Sequence, residues 1–530
     1  MEPLLFAGLD VSTQSCKLVI LDWAARRVIH VDAVHYDRDL PHYQTRNGVI
    51  PSLDERISES DPRMWLEAVD LIMKRLASSP VRQNYIRSIS VSGQQHGLVA
   101  LAEDGNLARP RSKLWNDFST EDECRLLTEA VGGPGAMIHE VGNTQRTGYT
   151  AAKIFHMVRH EPQVYQKTAT LFLVHNYINW YLTGGVKVME PGDTSGTALW
   201  NPQTGQWSQK VLQAIDPLLQ DKLPPVLPSD RSIGLVSSEL AARFGLSSQC
   251  TIDAGSGDNM YGAVGTGNVQ PGIVTVSLGT SGTAYTQMKT AFIDPQGEIA
   301  AFRDSTGHHL PLLCVSNLAN GYNALLEQHS LDHAGFNRLI RKTPEGNRGR
   351  VLLPWYSGER TPDLPLASPI YFGFALTDFR PEVLARAVLE GHVLNLYEGF
   401  RRMPAKPREV RLTGGLSQSE SWCQCIADIF DAEAVPVEGE GAALGAALHA
   451  AWVWMREQGD ELSLEEVTAP FVLKTEARRM HPRAGARPAY TLQKRLFHAL
   501  AQRAQGKPGE DPFILQKQLA QLASGPVIQA

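Results

Sequence analysis

An aspartate enclosed by glycines is the first group in this chain that could do chemistry. Within Asp253–Gly267, DAGSGDNMYGAVGTG, five glycines surround the carboxylate of Asp258. Glycine lets backbone approach backbone, or a ligand, where a Cβ would intrude. A carboxylate held in such a place, with Asn259 beside it, is positioned to accept a proton at the floor of a cleft. The same residue types also build ordinary turns, so the stretch takes its meaning from partners elsewhere.

Those partners are spread along the chain. Leu4–Leu9 is an apolar run ending in Asp10-Val11-Ser12-Thr13-Gln14-Ser15, and a second run, Lys17–Asp22, follows at once. Strand, hydroxyl-rich turn and strand make a hairpin whose backbone N–H groups and hydroxyls, at Ser12 and Thr13, suit an anion. Asp10 could hold Mg2+ directly or through water, because that ion favours one or two carboxylates plus phosphate oxygens. An Asx-capped turn explains the same residues. Val274–Thr283, VTVSLGTSGT, repeats the form and puts Gly279 and Thr280 in a second small-hydroxyl turn. Gly414-Gly415 stands between an expected strand, Val410–Thr413, and an expected helix, Ser419–Phe430, where a flat ring such as adenine could lie on bare backbone. SGQQHG at 92–97 sets the amide of Gln95 and the imidazole of His96 between glycines, groups able to grip several hydroxyls of a sugar or polyol. Arg146, in GNTQRTGYT, is a candidate donor to a substrate oxygen and equally a solvated loop charge.

Elements must hold these residues in place. Arg27–Tyr36 and Ile86–Ser92 read as strands. Trp65–Ala77 carries Leu66, Val69, Ile72 and Leu76 at helical spacing. Asn176–Leu182 reads as a helix, Pro191–Thr197 as a polar loop containing Asp193, and Leu352–Pro362 as a strand running into a loop with Glu359 and Arg360. Glu382–Phe400 reads as a long amphipathic helix, and Gly441–Met455 as a small-residue helix suited to close packing. An amphipathic helix near Tyr490–Arg503 precedes a loosely held end. The linker turn NVQPG at 268–272 divides the chain into expected domains 1–268 and 269–485, with a helical tail 486–530.

Bulk properties narrow the class. At 530 residues the chain exceeds one ordinary core, so two large domains are expected. A formal charge of -6 and a pI near 6.3 lack the basic footprint of nucleic-acid binding. The N-terminal MEPLLFAGLD has no basic n-region, and no apolar run reaches membrane-spanning length. Six scattered cysteines read as reduced thiols. The expectation is a cytoplasmic protein acting on a small molecule, with neither nucleic acid nor membrane as partner. Neither a Walker A pattern nor a strand–GxGxxG–helix fingerprint occurs, so any nucleotide would be gripped differently.

DVSTQS at 10–15, GDN at 257–259, SLGTSG at 277–282, SGERTP at 357–362 and GG at 414–415, in that order, resemble the FGGY carbohydrate kinases of the actin/hexokinase-like ATPase superfamily. SGQQHG, KLWND at 113–117 and AGSGDN at 254–259 are most similar to the branch of that family that phosphorylates D-xylulose. The resemblance implies an α/β protein of two RNase H-like domains, each a mixed sheet flanked by helices, with ATP and a ketopentose in an active-site cleft between them. It implies Asp258 as general base and Asp10 as the carboxylate that positions Mg2+ and phosphate. Gln95, His96, Asn259 and Arg146 would face the sugar, Ser12, Thr13, Gly279 and Thr280 the phosphates, and Gly414 and Gly415 the adenosine. Two positions depart from the family pattern: Ser12 stands where glycine is common, and Leu416 takes the third place of an adenosine motif that is often GGG. The family also contains homodimers. Other readings are a family member acting on ribulose, fuculose, a polyol or glycerol, and a sugar- or nucleotide-binding regulator without catalysis.

Overall fold

Strands that read as unbroken apolar runs must be covered on both faces, and Leu5–Val11 and Ile273–Leu278 are buried along nearly their whole length. The computed structural model describes residues 2–439 and 441–523. The chain forms two compact units. The first takes in residues 1–269, 288–310 and 439–472, and the second takes in 270–287, 311–438 and 473–530. Two later segments therefore belong to the first unit, beyond the linker turn at 268–272. Residues 524–530 of the expected tail lie outside the described residues.

In the first unit the strands lie in the order Ser232–Leu235, Thr251–Asp253, Ile86–Gly93, Leu5–Val11, Ser15–Asp22, Arg27–His35, with Ser256–Gly257 also paired to Ile86–Gly93. Leu5–Val11 runs antiparallel to Ser15–Asp22 and parallel to Ile86–Gly93, which sets Asp10 opposite Ser92. On one face, Trp65, Val69, Ile72 and Leu76 of the helix Pro62–Ala77 join a core with Leu9, Leu18 and Ile89. Asp61 caps that helix by accepting from Arg63 N, and Pro62 opens it.

The helix Gly441–Glu457 joins Phe6, Val19 and Leu21 in a second core with Tyr261 and Val264 of the helix Asp258–Gly265. Its approach is too close for larger residues. A Cβ on Gly8 would lie 2.0 Å from the Ala443 carbonyl oxygen, and one on Gly445 would lie 1.8 Å from that of Tyr261. One on Gly265 would lie 2.1 Å from that of Gly441. Inside this packing the His449 ring meets an acceptor at each nitrogen: Asp253 Oδ2 at 2.9 Å from Nδ1 and the Ser305 carbonyl at 2.8 Å from Nε2.

The second unit repeats the pairing senses of the first. Ile273–Leu278 is antiparallel to Gly282–Thr286, which is antiparallel to His309–Val315. On its other edge Ile273–Leu278 is parallel to Glu409–Thr413, itself parallel to Glu433–Glu438. The first unit shows the same succession around Leu5–Val11: two antiparallel neighbours on one side, two parallel on the other.

The helix Pro381–Phe400 is buried almost all round, not amphipathic with a wet face as its sequence suggests. The helices Glu420–Phe430 and Arg487–Ala504 both pack on it. Its polar members are matched inside: Arg386 donates to the Ile340 and Thr343 carbonyls, and Glu390 accepts from Tyr490 and Gln493. Tyr490 and Gln493 thereby dock the start of the expected tail. A further helix, Pro512–Leu522, begins at an Asp511 cap and was not anticipated.

Candidate active site

Asp258 opens the helix Asp258–Gly265 directly after Ser256–Gly257, whose Gly257 lies opposite Gly93. The helix start therefore sits beside the strand end that continues into Gln94, Gln95 and His96. The approach is tight: a Cβ on Gly257 would lie 2.7 Å from Gln95 Cγ and 3.2 Å from Asp193 Oδ1. Asp258 Oδ1 accepts from the backbone N–H of Asn259 at 2.9 Å and from its Nδ2 at 3.1 Å. Asn259 Nδ2 also donates to Gln95 Oε1 at 2.7 Å, so three of the sugar-site candidates form one hydrogen-bonded unit. Burial, and then the negative charges of Asp10 and Asp193, push the Asp258 carboxyl up to about 8. Part of its surface stays accessible.

Asp10 ends the neighbouring strand. Ser12 Oγ donates to its Oδ2 at 2.6 Å and Ser92 Oγ to its Oδ1 at 2.7 Å. Burial raises its proton affinity, against those two hydrogen bonds and the Lys17 charge. The turn after it is closed by Ser12 N to the Ser15 carbonyl at 3.0 Å. Thr13 Oγ1 donates to Gln94 Oε1 at 3.1 Å and accepts from Trp115 Nε1 at 3.0 Å. Candidate residues thus gather at the carboxyl ends of adjacent parallel strands, where open α/β sheets bind ligands. A fixed carboxylate flanked by hydroxyls is a hard-oxygen donor set, which fits Mg2+ rather than a softer metal.

The remaining candidates of this unit are held differently. His96 has φ of 66° and its ring centroid lies 4.6 Å from that of Tyr149. Arg146 is not a freely solvated charge: Nε donates to Thr144 Oγ1 at 3.2 Å and Nη2 to the Gly297 carbonyl at 3.1 Å. Pro191–Thr197, expected as a polar loop, is a short helical turn with Asp193, Thr194 and Ser195 wholly buried. It is locked by Glu190, whose carboxylate accepts from the N–H groups of Gly192 and Asp193 and from the hydroxyls of Ser229 and Ser256.

Sequence reasoning left Glu190, His175 and Lys153 unassigned and gave Asp193 no role. Asp193 Oδ2 meets His175 Nδ1 at 2.9 Å. Asn176 fixes the tautomer, because its Oδ1 accepts from Leu173 N and its Nδ2 therefore donates to His175 Nε2. The His175 Nδ1–H then donates to Asp193. One signal was available for Lys153: it is a charge between Ala151, Ala152, Ile154 and Met157 on a helix those residues bury.

In the second unit, Gly279 and Thr280 occupy the turn between Ile273–Leu278 and Gly282–Thr286. The Thr280 carbonyl accepts from the N–H groups of Leu318 and Ala319. Gly414 has φ of 86°, and a Cβ there would lie 2.6 Å from the Leu278 carbonyl oxygen, so the position demands glycine and lies against the strand that leads into this turn. A Cβ on Gly415 would meet nothing within 4 Å, which leaves its face open. Leu416 is buried, so the residue in the third place of the motif turns inward, away from the two exposed glycines. Glu359, expected on a polar loop, is buried and accepts from Ser316 N, Arg360 N and the side chains of Asn317 and Asn395. It pins the chain.

A separate cluster, Glu123, His156 and His160, has the residue types of a metal site. The Arg159 guanidinium already binds the Glu123 carboxylate, which also meets His160 Nε2 at 3.0 Å, so the carboxylate is engaged between two helices. Among the described residues, no helix is long and apolar enough to cross a membrane.

Known proteins resemble this chain in sequence and fold. The N-terminal domain of the FGGY family of carbohydrate kinases matches residues 5–265, and the C-terminal domain of that family matches 274–454. A xylulose kinase of Haemophilus influenzae is 33% identical over 491 residues, which cover 90% of this chain and 95% of that protein. One of Streptomyces rubiginosus is 32% identical over 456 residues, covering 84% and 87%. The crystal structure of xylulose kinase from Bifidobacterium adolescentis superposes with a TM-score of 0.77 at 25% identity, covering 92% of this chain and 99% of that one.

Proposed function

Since the chain belongs to the FGGY family of carbohydrate kinases, we propose that it transfers the γ-phosphoryl group of ATP to the C5 hydroxyl of D-xylulose. The observation that carries this reading is the Asp258 carboxyl, fixed by Asn259 and raised to about 8 in its proton affinity, beside the Gln95–His96 loop. The sugar itself is supported by what the relatives are named.

A primary hydroxyl is a poor nucleophile until its proton leaves. Asp258 accepts that proton as the new P–O bond forms, and ADP departs with the old one. Gln95, His96 and Asn259 offer two amides and an imidazole to the sugar hydroxyls. Arg146 is steadied by Thr144 and Gly297 and turns its remaining N–H groups to a sugar oxygen. Asp10 orients the phosphates, and the turns holding Ser12 and Thr13 and holding Gly279 and Thr280 receive them, the Ser12 and Thr13 hydroxyls by exchanging their bonds to Asp10 and Gln94. Gly414 and Gly415 give adenosine a flat backbone surface. Mg2+, held by Asp10 directly or through water, supplies charge neutralisation on the phosphates when bound. Base catalysis contributes about 10²–10⁴-fold, and in-line alignment roughly 7–11 kcal/mol. Positioning therefore outweighs base strength.

Coupled ADP release with ATP, magnesium and a panel of ketopentoses, polyols and glycerol tests the reading. D-xylulose should give the highest kcat/KM, and Asp258→Asn should lower kcat by about 10²-fold or more while calorimetry still registers ATP binding. A different preferred substrate replaces D-xylulose but keeps the kinase. Near-normal turnover of Asp258→Asn removes Asp258 as the base, and silence across the panel returns the protein to a non-catalytic regulator.

A further inference from the structure

Lys153 lies in the helix Thr150–His160 and is only 1% exposed. A buried ammonium is costly unless it is paired, yet its Nζ donates to a neutral group, the backbone carbonyl of His96, at 2.6 Å. The Thr150 hydroxyl approaches the same oxygen at 3.4 Å. Burial pulls the Lys153 proton affinity down to about 7, with Asp117 opposing.

The residue that receives this bond is itself unusual. His96 adopts φ of 66°, a left-handed conformation that residues with a Cβ rarely take and that persists only where surroundings enforce it. The conformation turns the carbonyl inward to Lys153 and sends the ring between Tyr149 and Gly196. A Cβ on Gly196 would lie 2.8 Å from the imidazole Cε1, so the ring has little room to settle elsewhere.

We propose that Lys153 is a positioning residue for sugar recognition: through the His96 carbonyl it holds the left-handed turn that presents the His96 imidazole to the substrate. The inference rests on the sugar-site reading given under Proposed function. Lys153 touches neither sugar nor nucleotide, and its effect reaches the sugar only through His96.

A double-mutant cycle tests this, with steady-state constants for wild type, His96→Ala, Lys153→Met and the double variant. Lys153→Met should raise the sugar KM roughly 10–100-fold, the range for loss of a buried hydrogen bond, with the ATP KM within about twofold of wild type. Added to His96→Ala, it should raise the sugar KM by less than about threefold more, because the imidazole that the turn presents is gone. An unchanged sugar KM in Lys153→Met, equal rises for both substrates, or full additivity with His96→Ala would each overturn the proposal. If His96→Ala leaves the sugar KM untouched, the sugar-site reading fails first and takes this one with it. Lys153→Gln, which keeps a donor of shorter reach, carries the same cycle if Lys153→Met does not fold; its sugar KM should exceed that of wild type.

Discussion

At the scale of single residues, the proposed chemistry turns on the proton affinity of one carboxyl. Asp258 must be ionised to accept a proton, and burial together with Asp10 and Asp193 holds that ionisation up to about 8. Below that pH the ionised fraction falls about tenfold per unit, so kcat/KM should fall with it on the acid side. A kcat/KM profile flat from about pH 6 to about pH 8 would exclude Asp258 from that role. Asp258 stood out as a candidate because glycines flank it and an amide follows. The state of its carboxyl was not legible: it depends on Asp193, a residue the chain delivers from a buried turn with no local sign of burial. Lys153 gave one sign, the apolar neighbours on its helix, but only tertiary packing supplies the His96 carbonyl that it meets.

At the scale of elements, close approach is the governing quantity. The helix Gly441–Glu457 carries glycine where it meets Tyr261, and Gly445→Ala would set a methyl 1.8 Å from a carbonyl oxygen. Overpacking of this kind costs about 1–3 kcal/mol. Thermal unfolding should show a lowered midpoint, and an unchanged one would mean that the helix can shift away freely. The same helix carries His449. Burial lowers its proton affinity, but the hydrogen bond and charge of Asp253 outweigh that and raise it above the ordinary value. A group raised on folding stabilises fully below its unfolded pKa, and that contribution is lost as pH rises through the folded one. The stability gap between wild type and His449→Gln should therefore narrow on the alkaline side, and a gap that widens there would mean the ring is folded in neutral. The composition of this helix already announced close packing. Pro381–Phe400 misled because its polar residues, which suggest a wet face, bond to carbonyls and side chains inside the unit.

At the scale of the whole molecule, duplication explains what was readable. Two strand–turn–strand segments far apart in sequence shared one form, and each lies at the same point in a sheet with the same succession of pairing senses. Local pattern was enough to find both, because the turns need small and hydroxyl-bearing residues wherever they occur. The grouping of distant segments was not readable, since hydrophobic patterning says that a helix is covered and not by what. Gly439–Val472 belongs with strands that precede it by more than 400 residues, a span fixed by its own position in the 530-residue chain. That span has a consequence for biogenesis. As the chain leaves the ribosome, the strand bearing Gly8 appears more than 400 residues before the helix that seals it. While residues 311–438 are made, Phe6, Val19 and Leu21 lack the helix that completes their core.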